Sequence, residues 1–189
     1  MCGRYYIDID AEELRDIANE AEKRSGQAPG LEAAKTSGEI FPSDIVPVRT
    51  GPDEYRFMKW GFQGRDGRLV INARSETAMQ KPMFQGSMRE RRCLIPASGY
   101  YEWMKFAGQK IKLKFYLGGG IIFLAGCYRQ NDEKGIDDFV ILTREAADSV
   151  SFVHDRMPVI IPRSHAGTWF VDGPEAIKHS LDDIEFDNA

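Results

Sequence analysis

The chain has 189 residues, of which 42% are hydrophobic and 29% charged, and this ordinary composition indicates one globular domain with a core of its own. Its formal net charge of −4 argues against a general nucleic-acid-binding protein, and no apolar run is long enough to span a bilayer. The cysteines, Cys2, Cys93 and Cys127, match no zinc or C-x-x-C redox spacing, and no charged and then apolar leader opens the sequence. We therefore expect a cytoplasmic monomer with free thiols, no metal and no cofactor.

The first half of the chain predicts strands, one helix and a long loop. CGRYYI predicts a short strand, and the apolar spacing over 11–24 predicts an amphipathic helix. Residues 25–52 are rich in Gly, Pro and Ser and predict mostly loop, because Pro42 and Pro47 exclude regular structure through FPSDIVPV. YRFMKW and RLVINAR predict strands joined by the turn GRDGR.

The second half predicts mainly strands. SETAMQKPMF predicts a short helix that ends before Pro82, and CLIPASGYYEW predicts a strand with a bend between Pro96 and Gly99. KIKLKFYL, GIIFLAGCY, DFVILT and MPVIIP predict further strands, and EAADSVSF, HAGTWFV and PEAIKHSL predict short helices. Without βαβ regularity, the order indicates an α+β domain over 1–189, with a mostly antiparallel, partly closed sheet, peripheral helices and an acidic tail at about 182–189.

The charge is unevenly distributed along the chain. Segment 87–114 is rich in Arg and Lys, whereas 172–189 is rich in Asp and Glu. A basic segment of this kind either forms a phosphate-binding face or is a solvated strand surface.

Several polar residues are not required by the local apolar pattern. INARSE places Asn72 and Arg74 two apart on one strand face, SGYYEW contains Glu102, and HDRMPVII contains His154 and Arg156. Each has a structural explanation, such as a helix cap or an exposed strand position. As a set with Cys2, they supply a thiol, an amide, a carboxylate and an imidazole, the ingredients of nucleophilic and acid–base catalysis.

Cys2 becomes the terminal residue if Met1 is removed, and it then carries an α-amine and a thiol on adjacent carbons. The alternative is that Cys2 is a small apolar residue in a buried strand. Cys93 and Cys127 lie in apolar strands and are predicted to be buried core thiols.

MCGRY, WG at 60–61, INARSE, RRCLIPASGYYEW, ILTREA and HDRMPVII occur together and in order. This combination resembles the SOS response-associated peptidase (SRAP) family. The resemblance implies a β-rich mixed fold and covalent attachment to abasic sites in single-stranded DNA through the N-terminal cysteine, as part of the DNA damage response. It also implies that His154 and Glu102 act in proton transfer, that Asn72 holds the Cys2 terminus or the sugar, and that Arg4, Arg74 and Arg156 bind phosphates.

The resemblance leaves other possibilities open. Trp60, Met83 and Phe84 are candidates to stack on or wedge against bases, although core packing is the alternative for Trp60 and Phe84. The family name makes a cysteine peptidase with Cys2 as nucleophile the rival function, either autoproteolytic or an N-terminal nucleophile hydrolase that uses its own amine as base. A non-catalytic single-strand-binding protein is a third possibility. A lyase side reaction is also expected to be accessible, since a Schiff base at an abasic site can lead to β-elimination.

Overall fold

The structure, a computed structural model, describes residues 2–8, 10–25, 30–118, 120–131 and 135–189. The α-helices in these ranges are α1 (Glu12–Ser25), α2 (Ser75–Ala78), α3 (Pro82–Glu90), α4 (Asp148–Ser151) and α5 (Ala166–Val171). Short 3-10 helices cover Leu31–Ala33, Arg163–His165 and Gly173–His179. Across the described ranges, no helix has the length and apolar character needed to cross a membrane.

Strands make up most of the regular structure. They are β1 (Tyr5–Ile7), β2 (Gly38–Ile40), β3 (Ile45–Gly51), β4 (Glu54–Trp60), β5 (Phe62–Gln63), β6 (Leu69–Val70), β7 (Asn72–Arg74), β8 (Arg92–Ala97), β9 (Gly99–Phe106), β10 (Gln109–Tyr116), β11 (Ile122–Arg129), β12 (Asp138–Glu145), β13 (Arg156–Pro158), β14 (Ile160–Ile161) and β15 (Glu185–Asn188).

The strands form two main sheets. The smaller is antiparallel, in the order β15-β10-β9-β1-β2. The larger has the order β13-β12-β4-β3-β8-β11-β14, with β7 also beside β12; β12 pairs in parallel with β4 and β7, and the other strand pairings described for this sheet are antiparallel. Because β11 also pairs with β12, the larger sheet folds back and is partly closed. The predicted α+β class with a mostly antiparallel sheet is confirmed.

The larger sheet is buried on both faces, which explains its continuous apolar strands. One face packs against the smaller sheet in what we call the inter-sheet core; the other packs beneath α3 and α5 in the helix-side core. Along β11, Ile122 and Leu124 belong to the inter-sheet core, and Phe123 and Ala125 belong to the helix-side core. Alternate residues therefore serve opposite cores, and little polar surface is left on this strand.

The prediction that Pro42 and Pro47 exclude regular structure was wrong for Pro47. Pro47 lies within β3, opposite Phe57 of β4. On its other side β3 pairs with β8 only at Arg49, opposite Leu94, so the missing N–H of Pro47 interrupts no hydrogen-bonded ladder there. Strand β2 also lies in the segment predicted to be mostly loop.

Two further predictions need correction. A helix does end before Pro82, but Pro82 itself begins α3, because proline is well suited to the first helical turn, where its missing N–H has no partner to lose. The acidic C-terminal segment is not only a tail, since β15 pairs with β10 at the edge of the smaller sheet.

Candidate functional site

Cys2 lies just before β1 in the inter-sheet core, with no exposed surface. Its Sγ lies 3.9 Å from the backbone oxygen of Arg4, and its own backbone oxygen accepts a hydrogen bond from Asn72 Nδ2 at 2.9 Å. Burial raises the pKa of the Cys2 thiol, and the negative charge of Glu102 raises it further. The thiol is therefore protonated at neutral pH, unlike the thiolate of an activated cysteine nucleophile.

Asn72 begins β7 and reaches Cys2 from a distant part of the chain. Parallel pairing with β12 fixes its backbone opposite Ile141. Its amide nitrogen binds Cys2, whereas its buried Oδ1 has no hydrogen-bond partner among the described residues. That oxygen is a buried acceptor that can take a hydrogen bond from a further donor.

Glu102 lies on β9 and is only 4% exposed. Tyr5 pairs with Tyr100, and the Tyr101 N–H donates to the backbone oxygen of Arg4 at 2.9 Å, so the residues before β1 run alongside β9. Tyr100 and Glu102 share the inner face of this strand as alternate residues. The carboxylate of Glu102 is thus held in the interior, next to the Cys2 thiol whose pKa it raises.

His154 lies in the segment between α4 and β13 and is partly exposed. Its Nδ1 is 3.0 Å from the backbone nitrogen of Arg156 and 2.6 Å from Asp155 Oδ1. An unprotonated Nδ1 accepts the Arg156 N–H, whereas a protonated Nδ1 donates to Asp155. Within the described residues, no hydrogen bond joins His154 to Cys2 or Asn72, so its acid–base role stays a prediction.

Arg156 is engaged in a bidentate ion pair. Its two terminal nitrogens lie 2.7 and 2.8 Å from the carboxylate oxygens of Glu76, and it also donates to the backbone oxygen of Thr143. These hydrogen bonds lower the pKa of Glu76 to about 2. Arg156 thereby ties β13 to β12 and α2, and a DNA phosphate would have to compete with Glu76 for its guanidinium group.

Arg4 is also held by neighbours. One terminal nitrogen lies 2.9 Å from Glu39 Oε2, and the guanidinium group is 3.7 Å from the ring centroid of Phe41 and 5.4 Å from that of Trp103. The side chain is 25% exposed, so part of it stays in contact with solvent.

A cleft of about 380 Å³ adjoins Asn72. Arg74 and Lys81 are exposed at this cleft, and Met83, at 38% exposure, forms part of its wall. Phe84 also lines it but is only 5% exposed. The cleft therefore presents two cations and one exposed apolar side chain beside the residue that holds Cys2.

Trp60 is fully buried and is inaccessible to a base in this structure. Its ring lies 5.2 Å from that of Tyr5 and 6.4 Å from that of Phe139, and its Nε1 donates to the backbone oxygen of Ile71 at 3.0 Å. Gly61 follows with a φ of 118°, and a Cβ there would lie 2.6 Å from Leu69 Cγ. The WG pair thus has a packing explanation: a core indole and a left-handed turn.

A sequence model of the SOS response associated peptidase (SRAP) family matches residues 1–187. The chain belongs to this family. "Abasic site processing protein YoqW" of Bacillus subtilis is 33% identical over 189 residues, which cover 89% of this chain and 80% of the relative. "Abasic site processing protein YoaM" of the same organism is 34% identical over 115 residues, 58% of this chain, and the match spans about half, 51%, of that relative. A crystal structure of a protein from Bordetella bronchiseptica has the same fold, with a TM-score of 0.76 at 22% identity over 100% of this chain and 99% of that one.

The sequence did not predict a role for two buried tyrosines near Cys2, Tyr5 and Tyr100. The hydroxyl groups of Tyr5 and Tyr100 are buried and have no hydrogen-bond partner among the described residues. Burial, Cys2 and then Glu102 raise the pKa of Tyr100. Their sequence signal is weak, because a tyrosine at an apolar strand position looks like any other core aromatic residue.

Proposed function

We propose that this SRAP protein, after removal of Met1, attaches covalently to abasic sites in single-stranded DNA through Cys2 and shields the lesion. Family membership supports the class of reaction, since YoqW and YoaM are named abasic site processing proteins. The observation that carries the proposal is the hydrogen bond from Asn72 to the Cys2 backbone, beside the buried carboxylate of Glu102. A buried backbone oxygen needs a hydrogen-bond partner in any case, but a buried carboxylate beside a core thiol has a desolvation cost that packing alone does not explain.

The chemistry requires both nucleophiles of a terminal cysteine. The Cys2 amine adds to the aldehyde of the open deoxyribose, and loss of one water gives a Schiff base. The thiol then adds across the C=N bond: a C–S bond forms, and the thiol proton passes to nitrogen. The product is a five-membered thiazolidine, and no oxidant or cofactor is consumed.

The environment of Cys2 suits this order of steps. An α-amine has an ordinary pKa of about 7.7–8.0, so a useful neutral fraction exists near pH 7. Glu102 is the acceptor for the proton of the α-ammonium group, and His154 is assigned to proton transfer at the sugar oxygen. The raised pKa of the thiol does not hinder the reaction, because the thiol attacks second, on an already activated imine, and can deliver its own proton.

The strand is proposed to approach along the cleft beside Asn72. Arg74 and Lys81 are positioned to bind the phosphates that flank the lesion, and Met83 is exposed to contact a base. Arg4 and Arg156 stay proposed phosphate ligands, although each must share its guanidinium group with a carboxylate. Trp60, in the inter-sheet core, and Phe84, in the helix-side core, are buried and contribute by packing.

The experiment is a denaturing gel and an intact mass spectrum of the Met1-free protein incubated with a single-stranded oligonucleotide that carries one abasic site. We expect an adduct whose mass equals the sum of the two components less one water. Cys2→Ala should abolish it, and Cys127→Ala, which removes another buried thiol, should not. An adduct that survives Cys2→Ala, or the absence of any adduct with the wild type, would contradict the proposal. A shortened oligonucleotide in the same gel would report the lyase reaction.

A cysteine peptidase is the rival function, and the same site weighs against it. A peptidase needs a thiolate or a base hydrogen-bonded to the thiol. In the described structure, Cys2 Sγ contacts a backbone oxygen, and burial raises the pKa of the thiol. Hydrolysis of a peptide substrate that depends on Cys2, without any DNA adduct, would favour the rival.

A further inference from the structure

Tyr100 carries a buried hydroxyl group that packing does not explain. Its ring stacks on that of Phe115, with 5.0 Å between the ring centroids and 11° between the ring planes. The side chain is fully buried, and its hydroxyl oxygen has no hydrogen-bond partner among the described residues. A phenylalanine would stack on Phe115 equally well. The hydroxyl group instead lowers stability, because a buried polar group without a partner loses its hydrogen bonds to water.

The backbone places this hydroxyl group close to the Cys2 site. Tyr100 lies directly opposite Tyr5 in the pairing of β1 with β9, and Cys2 belongs with both tyrosines to the inter-sheet core. Glu102, two residues further along β9, shares the inner face of the strand. Burial raises the pKa of Tyr100, and the charges of Cys2 and then Glu102 raise it further. At neutral pH the hydroxyl group therefore stays uncharged, near both the thiol and the carboxylate.

The buried hydroxyl group of Tyr5 has different surroundings. It also lacks a hydrogen-bond partner among the described residues. After burial, the charges of Cys2, Asp44 and Cys93 raise its pKa. Cys93 lies on β8 and Asp44 directly precedes β3, so these two neighbours belong to the side of the larger sheet. Of the two hydroxyl groups, that of Tyr100 is therefore the one placed between the thiol and Glu102.

Closure of the thiazolidine ring needs a path for one proton. Sulfur adds to the carbon of the C=N bond, and the thiol proton must reach the nitrogen of the same bond. Direct transfer passes through a strained four-membered arrangement of sulfur, hydrogen, nitrogen and carbon. Cys2 has no exposed surface, so bulk water is not in contact with its thiol. A hydroxyl group that accepts one proton while it donates another widens the arrangement to a six-membered one, and a neutral tyrosine can do both.

We propose that the Tyr100 hydroxyl group relays the thiol proton of Cys2 to the imine nitrogen during ring closure. The sulfur lone pair forms the C–S bond, and the S–H proton passes to the Tyr100 oxygen. The O–H proton of Tyr100 passes to nitrogen, which takes up the electron pair of the broken C=N π bond. Tyr100 is neutral before and after the step, and no oxidant or cofactor is consumed. The relay rests on the proposed function for its substrate and gives ring closure a residue of its own, separate from Glu102.

The test separates imine formation from ring closure. Met1-free protein is mixed with the abasic oligonucleotide, and samples are treated at intervals with sodium borohydride, which reduces the imine to an amine with a free thiol. The samples are then unfolded, alkylated with iodoacetamide and weighed by intact mass spectrometry. The Cys2 thiol is alkylated in the reduced imine and blocked in the thiazolidine, so the two rates are measured in one experiment.

Ring closure should depend on Tyr100 and imine formation should not. Tyr100→Phe should slow closure about 100-fold, the low end for a positioned proton-transfer group, and leave the rate of imine formation unchanged. The imine then accumulates, and more of the oligonucleotide is cut by β-elimination. Glu102→Gln should instead slow imine formation. Tyr128→Phe removes a hydroxyl group from another tyrosine packed against the inter-sheet core, and this matched control should change neither rate.

Urea denaturation distinguishes the relay from a structural role. Tyr100→Phe should keep or raise the unfolding midpoint, because it removes a buried polar group that has no partner among the described residues. Closure at the wild-type rate, or equal slowing of imine formation and closure, would overturn the relay. So would slower closure in Tyr5→Phe with a wild-type rate in Tyr100→Phe, since that result assigns the proton transfer to the other hydroxyl group.

Propanal in place of DNA lets the two proposals fail separately. A terminal cysteine condenses with a small aldehyde by the same two steps, so closure on propanal should also be slower in Tyr100→Phe. No adduct between the wild type and the abasic oligonucleotide, with Tyr100-dependent closure on propanal, overturns only the proposed function. Adduct formation on DNA, with closure independent of Tyr100 on both aldehydes, overturns only the relay.

Discussion

Cys2 and Cys127 are both buried thiols in a β-rich interior, and they differ in their neighbours. Burial raises the pKa of both, that of Cys127 to about 12. Cys127 lies in the helix-side core among apolar side chains. Cys2, in the inter-sheet core, has an amide bound to its backbone and a buried carboxylate near its thiol. A buried cysteine therefore does not by itself identify a reactive site, whereas buried polar groups gathered around one make it a candidate for the proposed reaction.

The largest expected effect tests whether the tryptophan in each core contributes equally to the free energy of unfolding. Trp60 and Trp169 are fully buried, one in each core, and each indole N–H donates to a backbone oxygen. Trp60→Ala and Trp169→Ala should each lower the free energy of unfolding by about 3–5 kcal/mol in urea denaturation, because each leaves a large cavity. A loss below about 1 kcal/mol for Trp60→Ala would mean that its ring is not a core side chain and would return it to the candidates for base stacking.

The next effect tests whether the rate of adduct formation depends on the buried polar group beside Cys2 and not on one beside the helix-side core. Glu102→Gln should slow adduct formation about 100-fold, because it keeps the shape but removes the proton acceptor. Ser87→Ala, at a buried polar residue of α3 next to the helix-side core, should leave the rate unchanged. Single-turnover gel kinetics measure both rates. Equal rates in Glu102→Gln and the wild type would remove Glu102 from the mechanism.

The smallest effect concerns the ion pair at the edge of the site. The folded pKa of Glu76 is about 2, below its ordinary value of 4.5, so its contribution to stability is present above pH 4.5 and is lost as the pH falls towards 2. Glu76→Gln should lower stability at pH 7 by less than about 1 kcal/mol, because solvent screens this half-exposed pair, and the difference from wild type should shrink towards pH 2. Urea titrations at several pH values measure this. Glu20→Gln, in the exposed Glu20–Lys23 pair of α1, is the control and should show a smaller change in stability. An equal change would mean that the bidentate geometry of Arg156 adds nothing to the stability of the fold.

Much of the fold could be predicted from local patterns. Helix α1 and the apolar strands β11 and β12 follow from periodicity, because burial on one or two faces determines which positions must be apolar. The strand through Pro47 could not be predicted. A proline is accepted there because β3 pairs with β8 at Arg49 and not at Pro47, and this depends on the tertiary fold. The separation of RLVINAR into β6, which pairs with β5 in a small two-stranded sheet, and β7, which pairs with β12 in the larger sheet, depends on tertiary pairing as well.

The candidate site was predicted unevenly. The resemblance to the SRAP family predicts Cys2, Asn72, Glu102 and His154 as one catalytic set. The structure joins Cys2 to Asn72 by a hydrogen bond and buries Glu102, whereas the role of His154 stays a prediction. The pairing of Arg156 with Glu76 could not be predicted, because the two residues are 80 positions apart and the sequence does not show which carboxylate the fold brings to Arg156. The same reason applies to the hydroxyl groups of Tyr5 and Tyr100. Their lack of a hydrogen-bond partner among the described residues depends on the tertiary fold and has no local sequence signal.

The most direct test of the central claim is to map the residue that carries the DNA. The adduct of Met1-free protein and an abasic oligonucleotide is digested, and the modified peptide is sequenced by mass spectrometry. We predict that the sugar is on the N-terminal peptide, with the Cys2 amine and thiol both blocked and Cys93 and Cys127 still open to alkylation after unfolding. A sugar attached to a lysine, or a Cys2 thiol that remains free in the adduct, would contradict the account.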